Sequence, residues 1–382
     1  MSTYLIVSGE FLLTGGQDRA NYALASYFAR QGHRVHLVAH EVAGELLREG
    51  DVEWHRAPKP LNSTLLGEPF LQRIGTSVAQ KLAREDARVI TNGGNCDWPA
   101  DVNWVHYVHA AYERVPHGAA RKVRYHVAHR RFVANERRAL SRSRVVLANS
   151  RRTARDLERF VHVEHSTMPV IYYGAETAPS APPASPLQRA GSDVLFVGSL
   201  ADTRKGVDTV LGAWQILCTD PTWNATLLVV GGGADVARWR SRIGRMRLSG
   251  RIRFLGFRTD VPALMRSAAA LLSPTRYEPY GLGVHEALCR GVPAIVSACA
   301  GVAERYPDDL KHLLLPDPED AEDLARRLRA CLSPDPQQRE SLARFAAELR
   351  SRTWDDMAAD VERVIEESRG APTVSATCAG AV

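Results

Sequence analysis

Residues 274–291 read P-T-R-Y-E-P-Y-G-L-G-V-H-E-A-L-C-R-G. The apolar run 268–272 ends in Ser273-Pro274, a turn carries Gly281 and Gly283, and a short apolar-periodic segment is stopped by Gly291. This pattern predicts a strand, a glycine-bearing loop and a helix. A helix starting there turns unpaired N–H groups and the positive end of its dipole toward the loop mouth, a seat for phosphate. Glu278 in the loop and Glu286 in the helix have seven residues between them, so both can face one cavity. A carboxylate repels phosphate, so the expected task of the pair is to accept hydrogen bonds from neutral hydroxyls, as on a ribose and a hexose. Spacing alone equally permits two solvated glutamates.

The order E-P-Y-G (278–281), E-A-L (286–288) and G-V-P-A-I-V-S (291–297) resembles the E-x7-E signature of the family 4 retaining glycosyltransferases. A second stretch, F-V-G-S-L-A-D-T-R-K-G-V-D at 196–208, resembles that family's F-V-G-R-L-x-x-x-K-G-x-D, in which basic residues hold the donor diphosphate. The resemblance implies an α/β architecture of the GT-B type: two facing Rossmann-like domains with a deep interdomain cleft. It also implies transfer of a hexosyl group from a nucleoside diphosphate sugar to an acceptor hydroxyl, with Glu286 on the ribose and Glu278 on the sugar.

The chemistry of the second stretch stands without the family. Breaking a sugar–phosphate bond leaves negative charge on a diphosphate, and fixed cations beside a helix N-terminus stabilise that charge most in the transition state. Arg204 and Lys205 are the candidates, the former able to grip two oxygens at once. Ser199 stands where many members of the family carry arginine, so either Arg204 or Arg276 compensates, with Arg204 preferred, or diphosphate binding is weaker than usual. The amides of Gly281 and Leu282 complete the expected seat. Tyr280 beside them, and backbone near Gly232 and Phe257, are expected donor contacts by analogy with the family. With cations in this role no metal or other cofactor is expected.

At 382 residues, 45% hydrophobic and 24% charged, the chain can bury two ordinary cores. No apolar run approaches the length of a membrane span, and the Met1 start has no basic segment ahead of Tyr4, so a cytoplasmic protein is expected. The six cysteines are scattered without a C-x-x-C pair, and no histidine stands at metal-ligand spacing, so reduced thiols are expected and zinc is not.

The first half opens on a βαβ pattern. An apolar strand at 4–8 leads to Gly15-Gly16, then Ala20, Ala23, Leu24, Tyr27 and Phe28 recur at helical spacing before Gly32. A G-x-G-x-x-G fingerprint is absent; Gly16 is either a tight turn or a loop facing the cleft. Further strands are expected at 88–91, 103–108 and 145–148. The third of these precedes no histidine, but 102–109 places His106 and His109 at a strand end, where active-site loops begin. The family carries a cleft histidine in a similar Y-x-H context, which favours His109 over His106.

Segment 113–160 holds 14 Arg and Lys against 4 Asp and Glu, whereas the whole chain carries +6. It reads as a solvated helical face, as a patch for anionic lipid or a phosphorylated acceptor at the membrane surface, or, least favoured, as a nucleic-acid surface. The expected organisation is an acceptor domain at 1–175, a Pro/Ala/Ser-rich linker at 176–192 and a donor domain at 193–352. A helix at 353–370 is expected to cross back to the first domain, before a disordered tail at 371–382. Rival functions are a phosphorylase or epimerase on the same fold, or a silent nucleotide-sugar or glycan binder.

Overall fold

The computed structural model describes residues 1–113, 119–163, 168–176 and 193–370; most of the expected linker and the expected tail lie outside them. The chain folds into two α/β lobes. The first is built on β1 (Thr3–Val7), β2 (Glu10–Phe11), β3 (Arg34–Ala39), β4 (Glu41–Val42), β5 (Asp51–Arg56), β6 (Arg88–Thr91), β7 (Val102–Val105) and β8 (Val145–Ala148). Its helices are α1 (Gln17–Arg30), α2 (Thr64–Leu82), α3 (Ala119–Leu140) and α4 (Arg151–Asp156).

The second lobe contains β9 (Val194–Val197), β10 (Leu227–Val230), β11 (Ile252–Gly256), β12 (Ala270–Ser273), β13 (Ala294–Ser297) and β14 (Leu314–Leu315). Around them lie α5 (Val207–Leu217), α6 (Val236–Arg245), α7 (Val261–Ser267), α8 (Leu282–Cys289), α9 (Ala321–Cys331) and α10 (Pro336–Ser351), followed by α11 (Trp354–Gly370).

Each lobe has a six-stranded sheet with all its pairs parallel, in the order β5-β3-β1-β6-β7-β8 and β11-β10-β9-β12-β13-β14; β2 and β4 pair separately. The central strands are apolar throughout because helices cover both faces. Ile6 and Val7, Val194 and Leu195, and Ala294 to Val296 are fully buried. The order in both lobes starts at a central strand, runs outward, and then restarts on the other side. Ligands bind such sheets in the crevice beyond the carboxyl ends of the strands where the order reverses. Here those points lie between β1 and β6 and between β9 and β12, and this GT-B arrangement decides where function can sit.

The chain's last helix belongs to the first lobe. Met357, Ala358, Val361 and Ile365 of α11 are fully buried in the core that also holds Tyr4, Leu24 and Phe28. Tyr4 stacks on Phe28 at 3.9 Å, its hydroxyl donates to Glu362 at 3.0 Å, and Arg88 pairs with Glu366 at 2.7 Å. Thr353 starts the helix through a reciprocal cap: its hydroxyl accepts from the Asp356 amide at 3.1 Å, and Asp356 accepts from the Thr353 amide at 2.8 Å. The two crossings between lobes run side by side, joined by the Ala175 amide donating to the Arg352 carbonyl at 2.8 Å. Gly174 is needed there, because a Cβ would lie 2.2 Å from the Thr353 carbonyl oxygen.

Met357→Ala is expected to destabilise the fold by about 2–5 kcal/mol through the cavity it leaves, and Gly174→Ala to destabilise it by forcing the crossings apart. Denaturant midpoints at unchanged slope measure both; a midpoint within error of wild type for Met357→Ala would show that α11 is not part of the first core.

Candidate functional site

The loops that leave β1, β6, β9 and β12 at the two reversal points carry most of the residues expected from sequence. After β9, Asp202 caps a turn by accepting from the Arg204 amide at 3.0 Å, and Gly206, with φ +70°, turns the chain into α5. A Cβ on Gly206 would lie 2.0 Å from the Pro274 carbonyl, so the β9 and β12 loops are packed against one another. That contact brings the basic pair to Glu278. Lys205 Nζ donates to Glu278 Oε2 at 2.6 Å, and Arg204 stands 3.9 Å from Oε1 while bonding Asp202 at 3.1 Å. Burial pushes the Glu278 carboxyl up, but Lys205 and Arg204 outweigh it and hold it below the usual glutamate value. α8 begins directly afterwards at Gly281, with no side chain capping its N-terminus. Two cations and an open helix end thus surround one ionised carboxylate.

Arg276 is committed elsewhere, to Asp208 at 2.7 Å and Glu319 at 2.8 Å. Of the two arginines considered as substitutes for the residue at Ser199, only Arg204 stands at the pair.

Glu286 departs from the expectation of one shared cavity. It is on α8, salt-bridged to Arg19 of α1, which also bonds Glu176. It lines a space of about 20 Å³ with Gly174, His285 and Trp354, room for roughly one water. Burial raises its carboxyl against the opposing pull of Arg19 and Arg290. The two side chains have different partners, Lys205 for Glu278 and Arg19 for Glu286, and Glu278 is not among the residues that line the space at Glu286.

Tyr280 is also corrected. Its ring is 2% exposed and sits in the first lobe's core against Tyr173 at 4.7 Å, with its hydroxyl bonded to His285 at 3.0 Å. The side chain anchors the turn from within that core. Tyr277 does the same on the other side of Glu278, buried, stacked on Tyr112 at 5.6 Å and donating to the Val108 carbonyl at 3.4 Å. Ser150 donates to the Pro279 carbonyl at 2.6 Å. The second lobe's turn is therefore inserted between first-lobe residues on three sides.

Gly16 adjoins the start of α8: a Cβ there would lie 3.8 Å from Leu282 Cβ. The Gly232 carbonyl accepts from the Leu200 amide at 2.9 Å, bracing the β9 loop, and a Cβ on Gly232 would meet nothing. Phe257 is 76% exposed at the end of β11.

The first lobe contributes a cavity of about 200 Å³ lined by Glu10, Asp18, Lys59, Glu68, Tyr107 and His109 among others. Both histidines reach it, in different states. His106 is buried, bonded to the Tyr173 hydroxyl at 2.6 Å, and burial lowers it to about 3, so it is neutral. His109 is about a third exposed, with Nδ1 3.0 Å from Oε1 of the fully buried Glu136. With a carboxylate as partner, Nδ1 donates. Tyr107 links the cavity to the cations: its ring is 5.1 Å from the His109 ring and 5.5 Å from the Arg204 guanidinium carbon.

Three carboxylates that the sequence did not single out, Glu10, Asp18 and Glu68, line this cavity. Lys59 Nζ donates to Glu10 at 2.5 Å. Burial, with Glu10 nearby, raises Asp18 to about 7 against the influence of Lys59. Asp18 follows the glycine pair by two residues, its only sequence signal; Arg19 and Glu136 had none.

Two family models match the chain in succession, one described as Glycosyltransferase Family 4 over residues 14–178 and one as Glycosyl transferases group 1 over residues 191–334. D-inositol 3-phosphate glycosyltransferase of Jonesia denitrificans is 27% identical over 263 residues, covering 64% of this chain and 61% of that protein. The chain spans between 31% and 61% of the first curated relatives it matches. Sucrose-phosphate synthase from Thermosynechococcus elongatus superposes with a TM-score of 0.77 at 20% identity, covering 97% of this chain and all of that one. Anabaena Alr3699/HepE, solved with UDP and glucose, gives 0.67 at 20% identity, covering 96% and 99%. Taken with the two sheets and the order of motifs, these matches show that residues 14–178 carry a family 4 glycosyltransferase domain and residues 191–334 a group 1 glycosyltransferase domain.

Proposed function

We propose that the protein is a retaining hexosyltransferase that moves a sugar from a nucleoside diphosphate donor, with UDP and GDP the leading bases, to an acceptor hydroxyl. The observation that carries this reading is the pairing of Lys205 and Arg204 with Glu278 below the uncapped start of α8. An arriving diphosphate takes the cations and the amides of Gly281 and Leu282, and Glu278, released from them, accepts from the sugar hydroxyls. The same cations then hold the charge left on the diphosphate as the glycosidic bond breaks, so no divalent ion is required there. Glu286 accepts from the ribose once Arg19 yields it. His109, fixed by Glu136, contacts the transferred sugar, and the leaving phosphate takes the acceptor proton on the face it departs from, which retains the anomer.

The acceptor occupies the first-lobe cavity, where Asp18 hydrogen-bonds a hydroxyl. We further propose that the acceptor is presented at an anionic membrane surface. No helix among the described residues is long and apolar enough to cross a membrane. α3 instead exposes Val123 and Val127 at 66% and 62%, one turn apart, among exposed Lys122, Arg124 and Arg130, while Phe132 of the same helix lines the cavity. Apolar residues among cations suit a surface that is both greasy and negative.

A thermal-shift screen against UDP, GDP, ADP and TDP sugars, followed by NMR of the product anomer, tests the reaction. One donor class should raise the melting temperature and yield a retained anomer, and Lys205→Ala should lower kcat by about a hundredfold to a thousandfold. An inverted product, or tight donor binding without turnover, overturns it.

Asp18 carries a pH signature. Its folded value of about 7 lies above the roughly 3.9 of an unfolded chain, so the protonated form favours the fold; that contribution is complete below about pH 4 and is lost as pH climbs through about 7. Asp18→Asn, neutral throughout, should gain stability over wild type across this window and hold a constant lead above it. Parallel stability curves would remove the assignment.

Vesicles containing anionic phospholipid should sediment the protein at low salt, and the Val123→Asp, Val127→Asp double variant should remain in the supernatant. Equal sedimentation of both would exclude α3 as the contact.

A further inference from the structure

The edge of the first sheet carries a histidine and carboxylate cluster that the transfer chemistry does not use. Side chains alternate along β3 and β5. Val35 and Leu37, with Val52 and Trp54 beside them, pack toward α1 and α11, so His36, Glu53 and His55 share the opposite face. The parallel register sets His36 beside Glu53 and Val38 beside His55. His36 Nδ1 lies 3.0 Å from His55 Nε2 and 3.3 Å from Glu53 Oε2, and His55 Nε2 lies 3.6 Å from Glu53 Oε1. Donors on a four-coordinate zinc ion, with bonds of about 2.0–2.1 Å, stand about 3.3 Å apart. The distance between the two histidine nitrogens lies just below that value and that from His36 to Glu53 Oε2 at it, and one ligand atom from each of the three residues lies within 4.8 Å of the others.

We propose that His36, His55 and Glu53 bind a zinc-class divalent cation, with solvent in the fourth position. Two imidazoles and one carboxylate form a borderline donor set that suits zinc over magnesium or calcium, which prefer all-oxygen sites. The His36 ring is buried and the His55 ring partly so, which holds both imidazoles in place on the sheet face. The neighbouring charges are balanced on one side, where Arg34 is paired with Asp51 at 3.1 Å and Glu85 at 3.7 Å, while Lys81 approaches His55. Glu53, 60% exposed, opens the site to solvent and gives the ion an entry path. His36 Nε2 is buried without an acceptor among the described residues, so the outer partner that tightens most zinc sites is missing, which weakens binding by about 10–100-fold relative to a site that has one.

The ion cross-links β5, which pairs only with β3, to the body of the sheet. Four residues after His55 the chain reaches Lys59 on the wall of the first-lobe cavity, so this staple fixes the segment that delivers Lys59.

The test is metal binding by the full chain, read independently of sugar transfer. Isothermal titration with Zn²⁺, and the visible absorption of Co²⁺ as a tetrahedral probe, should report one ion per chain. Glu53→Gln changes a solvent-facing side chain and should weaken binding by about tenfold or more with an unchanged circular dichroism spectrum; His55→Gln should abolish the Co²⁺ band. Equal stoichiometry and affinity in wild type and the Glu53→Gln, His55→Gln double variant would place the metal on other residues, and no binding at millimolar Zn²⁺ would leave the cluster a histidine hydrogen bond; either result overturns the proposal.

Discussion

A carboxylate withdrawn from water must be neutralised by protons or by cations, and Glu278 is neutralised by cations. Lys205 and Arg204 reach it because Gly206 lets the β9 loop press against Pro274 of the β12 loop. Removing one partner of such a buried pair typically costs about 3–5 kcal/mol, because the other charge is left alone in a poor solvent. The same constraint makes the arrangement useful. A stronger anion arriving beneath α8 can take the cations without leaving them unpaired, and the carboxylate it displaces is then free for sugar hydroxyls. Electrostatic stabilisation is thus preorganised around a place-holder.

The pair is held still by an inserted turn. Tyr277, Pro279 and Tyr280 flank Glu278, and all three are engaged by the first lobe, through Val108 and Tyr112, through Ser150, and through Tyr173. This turn of the second lobe is therefore packed as if it belonged to both lobes. Arg19 adds a polar contact across the same seam by holding Glu286, and α11 closes the circuit by returning the end of the chain to the first core. Any opening of the lobes must move these contacts together, which couples access to the cleft with the position of Glu278.

The two halves of the site have different characters. The second-lobe side is cationic, built from loops at the reversal point of the second sheet. The first-lobe cavity is mixed in charge, with Glu10 paired to Lys59, Asp18 near proton balance at neutral pH, and His106 kept neutral by burial. Tyr107 lies between them, touching both His109 and Arg204. A donor diphosphate demands fixed charge, whereas a hydroxyl acceptor is better met by groups that can donate or accept.

Local sequence was enough for the elements and for the donor loops. Apolar runs closed by glycine, and basic residues before a helical stripe, act over a few residues, so strands and helix starts were legible, as was the placing of Arg204 and Lys205 in the loop between β9 and α5. Spacing along a chain does not fix side-chain direction, and there the reading failed: Glu286 points toward Arg19, and Tyr280 turns into a core made by the other lobe. Contacts between distant segments had no local signal at all. Glu136 behind His109, Asp18 beside Glu10, and His36 beside Glu53 and His55 come together only because parallel strands and facing lobes bring separate stretches into register. The sequence by itself determined which short pieces form and which charges they carry; the tertiary structure decided which of those charges meet, since burial and pairing are properties of neighbours in space.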